Sequence, residues 1–187
     1  TRSTLPVLAN VLIATDNGRL KLSATNLEIV ITCWIGAKVE EDGAITVPAR
    51  TFNDLVSALP QDQVDLVLNE QTQTLHIACL RTEANIKCID SQEFPLVPEP
   101  DNENRIRVET DVFKQMIGQV AFAAATDDTR PMLTGVNTTF EASQVLMAAT
   151  DGFRLSVRSA QIPGYVGTPN IITIPARALT ELARIAS

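Results

Sequence analysis

The chain has 187 residues, a formal net charge of −7 and 45% hydrophobic residues. This length suits one large domain or two small ones, and the apolar content suffices for a buried core. An acidic chain with 4% aromatic residues argues against tight electrostatic binding of nucleic acid and against base stacking on a single-strand platform. No apolar run reaches the roughly 18 residues that a membrane-spanning helix needs.

The residues required for metal binding or catalysis do not occur in recognisable patterns. Cys33, Cys79 and Cys88 lack C-x-x-C spacing and lie in alternating apolar runs, so we expect buried thiols in a reducing compartment. The single histidine, His76, has no clustered ligands and no nucleophile motif beside it. The eight glycines form no Walker or dinucleotide-binding pattern. The sequence therefore predicts a protein that is not an enzyme and uses no metal or cofactor.

In chain order, the first elements predict an antiparallel meander with one buried face. Residues 7–14 are apolar and strand-like, and the Asn-Gly pair in the turn at 16–18 tolerates the positive φ of a type I′ hairpin. A short strand at 20–24 follows. The next strand, at 27–35, places its alternating apolar residues on one face, which we expect to be buried: Leu27, Ile29, Ile31, Cys33 and Ile35.

A short amphipathic helix and three further strands complete this first unit. Pro48 suits the first helical turn, and an apolar stripe follows it: Phe52, Leu55, Val56 and Leu59. Strands are expected at 64–69, 74–80 and 83–89. Three prolines and several acidic residues at 93–102 then predict an extended linker, which places the domain boundary near 95–104.

The region after the linker contains a helix that has no counterpart in the first unit. A strand is expected at 105–109, and a helix at 111–124 has Thr110 as its expected N-cap. The apolar stripe of this helix leaves Lys114 on its polar face.

The remaining elements repeat the first unit. Strands are expected at 133–140, 144–149 and 153–160, and a second Pro-Ala-Arg segment precedes a helix with an apolar stripe at Leu179, Leu182 and Ala186. Pro6 and Pro131 are 125 residues apart, as are Thr25 and Thr150, while Pro48 and Pro175 are 127 apart. Three matches in one order at nearly constant spacing predict two copies of one structural unit.

The motifs resemble those of the bacterial beta sliding clamp family, the beta subunit of DNA polymerase III. The matching segments appear in the family's order: residues 4–10 (TLPVLAN), 46–50 (TVPAR), 93–95 (EFP), 128–136 (DTRPMLTGV) and 149–155 (ATDGFRL). The resemblance covers essentially the whole chain. It implies an α+β DNA-clamp fold, in which repeated antiparallel sheet units carry amphipathic helices packed on one face. Residues 1–98 would form clamp domain one, truncated at its N-terminus, and residues 99–187 clamp domain two, truncated at its C-terminus.

The resemblance also implies a function. Members of this family are processivity factors, rings that encircle duplex DNA without sequence specificity and that bind short linear motifs of the replicative polymerase, clamp loader and repair polymerases in a hydrophobic pocket. The full-length protein would be a head-to-tail homodimer in the bacterial cytoplasm, associated with the nucleoid, with no cofactor, metal or membrane. Because encirclement retains DNA topologically, weak and screened contacts suffice, which is compatible with the acidic charge.

Three sets of site residues follow from the family's motifs. The DNA-facing set is Arg2, Arg50, Lys114 and Arg177, of which Lys114 is inferred from its helix face. The partner-peptide pocket would be formed by Leu133, Thr150, Gly152, Phe153, Arg154 and Leu155. The edge strand of the dimer interface would include Arg81, Ala84 and Ile86. The sequence departs from the family pattern at Phe153, where histidine is frequent, at Ala84, where an aromatic can occur, and at Asp127, where some members have an uncharged DNA contact.

A β-rich interaction scaffold unrelated to replication is the alternative, because the repeat alone is compatible with it. The repeat also predicts that the chain is a fragment, since the second copy has a helix before its meander and the first copy has three strands after its helix. By this comparison about 20 residues are missing at the front and about 30 at the back. A parent gene product of about 370 residues with a third copy would favour the clamp over the scaffold.

Overall fold

A computed structural model of the protein describes residues 5–97, 106–127, 129–141, 143–162 and 169–186. The chain divides into two compact units, Thr1–Pro98 (unit 1) and Glu99–Ser187 (unit 2). Each unit combines antiparallel sheet with helix, so the α+β class predicted from the sequence is confirmed.

The described residues of unit 1 form one α-helix and two antiparallel sheets. Its elements are β1 (Asn10–Asp16), β2 (Arg19–Thr25), β3 (Val30–Gly36), β4 (Ala44–Pro48), α1 (Ala49–Ala58), β5 (Asp65–Asn69), β6 (Thr74–Cys79), β7 (Thr82–Lys87) and β8 (Ile89–Asp90). The strand orders are β3-β2-β1-β4-β8 and β5-β6-β7. At the β1–β2 turn, Asn17 and Gly18 have φ values of 49° and 73°. The predicted type I′ hairpin is therefore confirmed.

The core of unit 1 is formed by residues of both sheets and of the helix. Buried side chains come from the first sheet (Ile13, Ile45 and Val47) and from the second (Leu75, Ile77 and Ile86). The predicted stripe of α1 packs against them through Phe52, Leu55 and Leu59. Val56, predicted in the same stripe, is 45% exposed and lies outside this cluster.

Three expectations for unit 1 are wrong. Residues 6–9 form a 3-10 helix instead of the start of a strand, because Pro6 begins a turn in which Leu8 N–H donates to the Leu5 carbonyl. The apolar residues of β3 are exposed on both faces, since β3 is the outer strand of its sheet and few described residues cover it. Cys33 on this strand is consequently exposed, whereas Cys79 is buried and Cys88 is half-buried.

The described residues of unit 2 form one sheet, which has the helices on one side and solvent on the other. Its elements are α2 (Thr110–Val120), β9 (Gly135–Glu141), β10 (Gln144–Thr150), β11 (Leu155–Gln161), β12 (Asn170–Pro175) and α3 (Ala176–Ile185). The strand order, β11-β10-β9-β12, reproduces β3-β2-β1-β4 of unit 1, so the internal repeat is confirmed. Apolar residues of α2 pack with the sheet and with Leu179 of α3, forming a core that includes Met116, Ile117, Val120, Val136 and Met147.

Three expectations for unit 2 also differ from the structure. Residues 106–109 form no strand with any of the described residues, and Ile106 and Val108 pack against the core. Glu109, with φ −64° and ψ 131°, is the N-cap of α2, and Thr110 is already helical. The regular helix ends at Val120 and continues as a 3-10 turn, Ala121–Ala123. Among the described residues, no helix is long and apolar enough to cross a membrane.

Candidate partner-binding site

The turn between β10 and β11 assembles four of the six predicted pocket residues. Thr150 Oγ1 donates to the Arg154 carbonyl at 2.6 Å and accepts from Gly152 N–H at 3.0 Å. The Asp151 carboxylate Oδ1 accepts from the backbone N–H groups of Phe153 and Arg154 at 2.9 and 3.0 Å. Threonine and aspartate favour such turns because their side-chain oxygens accept hydrogen bonds from nearby backbone N–H groups. The turn is therefore fixed by hydrogen bonds from two adjacent side chains.

Asp151 also binds the side chain of Arg154. Its Oδ2 accepts from Arg154 Nε at 2.9 Å, and the Arg154 guanidinium carbon lies 5.5 Å from the centre of the Phe122 ring. The two backbone N–H donors, followed by the positive charge of Arg154, hold the pKa of the Asp151 carboxyl below its ordinary value. At neutral pH the carboxylate is ionised, so the pairing with Arg154 is a charge-assisted hydrogen bond.

Arg130 joins the preceding segment to the same turn. Its Nη2 donates to the Asp151 carbonyl at 3.0 Å, and a Cβ on Gly152 would lie only 2.9 Å from Arg130 Nη1. Gly152 has a φ of 93°, a conformation that side chains disfavour. Leu133, half-buried in the 3-10 helix that follows Arg130, donates its N–H to the Arg130 carbonyl at 2.9 Å. The glycine thus permits the guanidinium to approach the turn.

Large apolar side chains are exposed around this turn. Phe153 is 94% exposed, Met132 77%, Leu155 69% and Phe122 59%. Isolated exposed apolar residues are ordinary, but several beside a fixed polar turn are typical of a surface that binds another molecule. The surface offers apolar contacts together with two arginines and could receive an extended peptide.

Unit 1 contains the same turn with different side chains. Leu27 N–H donates to Thr25 Oγ1 at 3.0 Å, and the Asn26 side-chain oxygen accepts from the N–H groups of Glu28 and Ile29 at 3.0 and 2.8 Å. Leu27 has a φ of 76°, like Gly152 at the equivalent position. The hydrogen bonds therefore belong to the repeated fold, whereas the charged and aromatic groups at 151–154 are specific to unit 2.

The structure describes three of the four predicted DNA-facing residues. Arg50 and Arg177 are the second residues of α1 and α3, and both side chains are exposed. Neither makes an ion pair with any described residue. Lys114 is half-buried and donates from Nζ to the Ala186 carbonyl at 2.9 Å, so it caps the C-terminal end of α3. Arg2 lies outside the described residues.

The predicted dimer-edge residues differ in their environments. β7 is an outer strand that pairs with β6 in its sheet. Ala84 is half-buried, Ile86 is 6% exposed with its side chain in the core, and Arg81 belongs to the turn before the strand. Of this set, Ile86 could therefore contribute to an edge only through its backbone. A shallow concavity of about 460 Å³ lies at the same turn, lined by Pro60, Leu80, Arg81 and Thr82, far in sequence from the β10–β11 turn.

Comparison with known proteins identifies the family. A family model for the N-terminal domain of the DNA polymerase III beta subunit matches residues 1–98, and one for its central domain matches residues 107–187. The chain belongs to the DNA polymerase III beta subunit family. It is 36% identical over 194 aligned residues to the beta sliding clamps of Staphylococcus epidermidis and Staphylococcus aureus, covering 100% of this chain and 51% of each relative.

Solved structures agree with the sequence comparison. The DNA polymerase sliding clamp of Bacillus subtilis superposes with a TM-score of 0.92 at 30% identity, covering 100% of this chain and 51% of that one. The DNA polymerase III beta subunit of Pseudomonas aeruginosa gives a TM-score of 0.87 at 31% identity, covering 99% and 50%. The predicted clamp fold is therefore confirmed. The chain spans about half the length of the relatives it matches.

Three residues of the candidate site were missed from the sequence. Asp151 was part of a quoted motif, and its place after the last residue of a strand is a signal for a turn that the side chain closes. Arg130 was also in a quoted motif, but its contact with Asp151 spans 21 residues and has no local signature. Phe122 reaches Arg154 only through the packing of the fold.

Proposed function

We propose that the full-length protein is a sliding clamp, a processivity factor that encircles duplex DNA and is not itself a catalyst. Family membership and the repeated α+β units support this, and the fold shared with the Bacillus subtilis sliding clamp is the observation that carries it. A head-to-tail homodimer in the bacterial cytoplasm would close the ring, with β7 as the edge strand of unit 1. Family membership leaves no reason to favour an unrelated scaffold.

The β10–β11 turn supports a second element of the proposal, a site for short linear motifs of a replicative polymerase, a clamp loader and repair polymerases. The turn presents Gly152, Phe153 and Leu155 beside two arginines, and its backbone is fixed by Thr150 and Asp151. A rigid site reduces the entropy lost when a peptide binds. Leu133 is half-buried next to Arg130 and would supply part of the apolar floor.

The positions of Arg50 and Arg177 support the DNA-facing part of the proposal. The two residues occupy the same place in the two copies, and both are exposed. Exposed cations near duplex DNA act through screened attraction, which would permit sliding. Lys114 contributes less in this proposal, because its ammonium already caps α3.

Topological retention provides the direct test. The full-length gene product is loaded onto a nicked circular plasmid by its clamp loader, and half of the sample is then linearised with a restriction enzyme. Gel filtration should show the protein retained with circular DNA and lost from linear DNA. Equal retention on the two forms would contradict encirclement.

Reversing the charge at both arginines tests the DNA-facing residues. We expect the double variant Arg50→Glu, Arg177→Glu in the full-length protein to require lower salt for retention on circular DNA, because two screened attractions become repulsions. The matched control is Lys38→Glu, an exposed cation outside the helices that pairs with Glu40 at 2.7 Å. If both proteins dissociate at the same salt concentration, Arg50 and Arg177 do not face DNA.

A further inference from the structure

The hairpin turn between β1 and β2 contains the one asparagine of the sequence that is followed by glycine. Asn17 and Gly18 occupy the two turn positions, with φ values of 49° and 73°, and both residues are exposed. An asparagine side chain reacts with the backbone nitrogen of the next residue most readily when that residue has no side chain to obstruct the approach. A Cβ on Gly18 would meet nothing within 4 Å, so the space around this residue is open as well.

The two turn residues lie outside the hydrogen-bonded ladder of the hairpin. The pairing of β1 with β2 ends at Asp16 and Arg19, so Asn17 and Gly18 take no part in it. Ring closure between them requires the Asn17 backbone to leave the left-handed region. Exposed turns open locally at a low cost in free energy, because few contacts are lost. The folded hairpin therefore permits the reaction without unfolding of unit 1.

We propose that Asn17 is a site of spontaneous deamidation. The Gly18 nitrogen, deprotonated by hydroxide, attacks the side-chain carbon Cγ of Asn17. A C–N bond forms, the bond from Cγ to Nδ2 breaks, and water returns the proton to the departing nitrogen, which leaves as ammonia. Water then opens the succinimide ring: addition at Cγ gives aspartate, and addition at the backbone carbonyl carbon gives isoaspartate. Either product replaces a neutral amide with a carboxylate at neutral pH.

The new carboxylate would disturb a cluster of side chains that reaches the outer strand β3. In the unmodified turn, Asn17 Nδ2 donates to Asp16 Oδ1 at 2.7 Å, and Trp34 Nε1 donates to Asp16 Oδ2 at 2.7 Å. Arg19 Cζ and Lys21 Nζ lie 5.7 and 5.8 Å from the centre of the Trp34 ring. Deamidation removes the amide donor and places a like charge beside Asp16, which should raise the pKa of Asp16 relative to the unmodified protein. Trp34, the single tryptophan, therefore reports the modification.

Ageing of the full-length gene product in mildly alkaline buffer tests the proposal. Peptide mapping by mass spectrometry should show a gain of about 1 Da in the peptide that contains Asn17, and an isoaspartyl methyltransferase should label part of that peptide. Conversion should be at least about tenfold faster at Asn17 than at Asn26, an exposed turn asparagine, because the side chain of Leu27 obstructs the attacking nitrogen. The pH titration of Trp34 fluorescence should move to higher pH in the aged sample.

Asn17→Gly is the matched control. A Gly-Gly pair suits the same type of turn, so the hairpin should form. Because the variant has no side-chain amide at this position, neither the mass of the turn peptide nor the Trp34 titration should change with time.

The outcomes are distinct from those that test the clamp function. Equal rates at Asn17 and Asn26, or conversion of Asn17 only after unfolding in denaturant, would overturn the inference. Conversion at the expected rate with an unchanged Trp34 titration would overturn the link to Asp16. Retention on circular DNA is measured separately, and its failure would contradict the clamp function whatever happens at Asn17.

Discussion

Two buried threonines, one in each unit, should respond in opposite directions to the same substitution. Thr138 on β9 is 0% exposed, and its Oγ1 has no hydrogen-bond partner among the described residues. Thr46 on β4 is also 0% exposed, but its hydroxyl donates to the Ile89 carbonyl at 2.8 Å and accepts from Asn10 Nδ2 at 3.0 Å. The two threonine side chains are therefore equally buried and differ in their hydrogen bonding.

Thr138→Val should stabilise unit 2. A buried hydroxyl without a partner costs about 1–3 kcal/mol relative to water, and valine keeps the shape while removing the polar atom. The equivalent residue of unit 1, Ile13, is apolar and 4% exposed, so this position accommodates a β-branched apolar side chain. We expect the free energy of unfolding to rise by about 1 kcal/mol, which corresponds to about 4–8 °C in Tm for a domain of this size.

Thr46→Val is the control and should destabilise unit 1 by about 1–3 kcal/mol. The buried Asn10 amide would keep only its long contact to the Thr46 carbonyl, at 3.5 Å, and the Ile89 carbonyl would lose the hydroxyl that donates to it. Asn10 is 5% exposed, so water cannot replace the lost contact without rearrangement. Hydrogen exchange measured by mass spectrometry on peptides from β4 and from β9 reports each unit separately. If Thr138→Val accelerates exchange in β9, the hydroxyl has a partner in solution and the reasoning fails.

The glycines and the single tryptophan give two further predictions. Gly118→Ala on α2, where a Cβ meets nothing within 4 Å, should stabilise the protein by about 0.5–1 kcal/mol. Gly152→Ala should destabilise it, because alanine is strained at a φ of 93°. Thermal denaturation that ranks the two variants otherwise would contradict this. The hydrogen bond from Trp34 holds the pKa of Asp16 below its usual 3.8. The stability that the ionised Asp16 carboxylate contributes is therefore present above pH 3.8 and is lost as the pH falls below that value. Trp34 fluorescence should titrate below pH 3.8, and not at all in Asp16→Asn.

Local signals in the sequence predicted most of the fold. The hairpin at Asn17-Gly18, the helix after Pro48 and the matching strands of the two copies each depend on nearby residues, and the structure confirms them. The exposure of the apolar residues of β3 could not be predicted, because alternation shows which residues share a face but not whether other residues cover that face. Residues 106–109 have the composition of a strand, yet within the part of the chain that the structure describes they pair with no other strand.

The site was predictable only where it coincides with a motif. The pocket residues at 150–155 came from the family resemblance, and the structure places 150–154 in one turn. The contacts that orient Arg154 come from Asp151 beside it and from Phe122, 32 positions earlier. No periodicity links the end of a helix to a hairpin turn, so the second contact required tertiary structure.

Comparison of the two copies distinguishes the interactions that form the turn in both units from those found only at the candidate site of unit 2. Thr25 and Thr150 make the same hydrogen bond to the following turn, so this bond is a requirement of the fold. Leu27 adopts a φ of 76° in unit 1, so the repeated fold places this position in the left-handed region in both copies. Gly152, at φ 93°, adopts this conformation without the strain that a side chain would bring. In unit 2 the missing Cβ also leaves room for Arg130 Nη1 beside the turn.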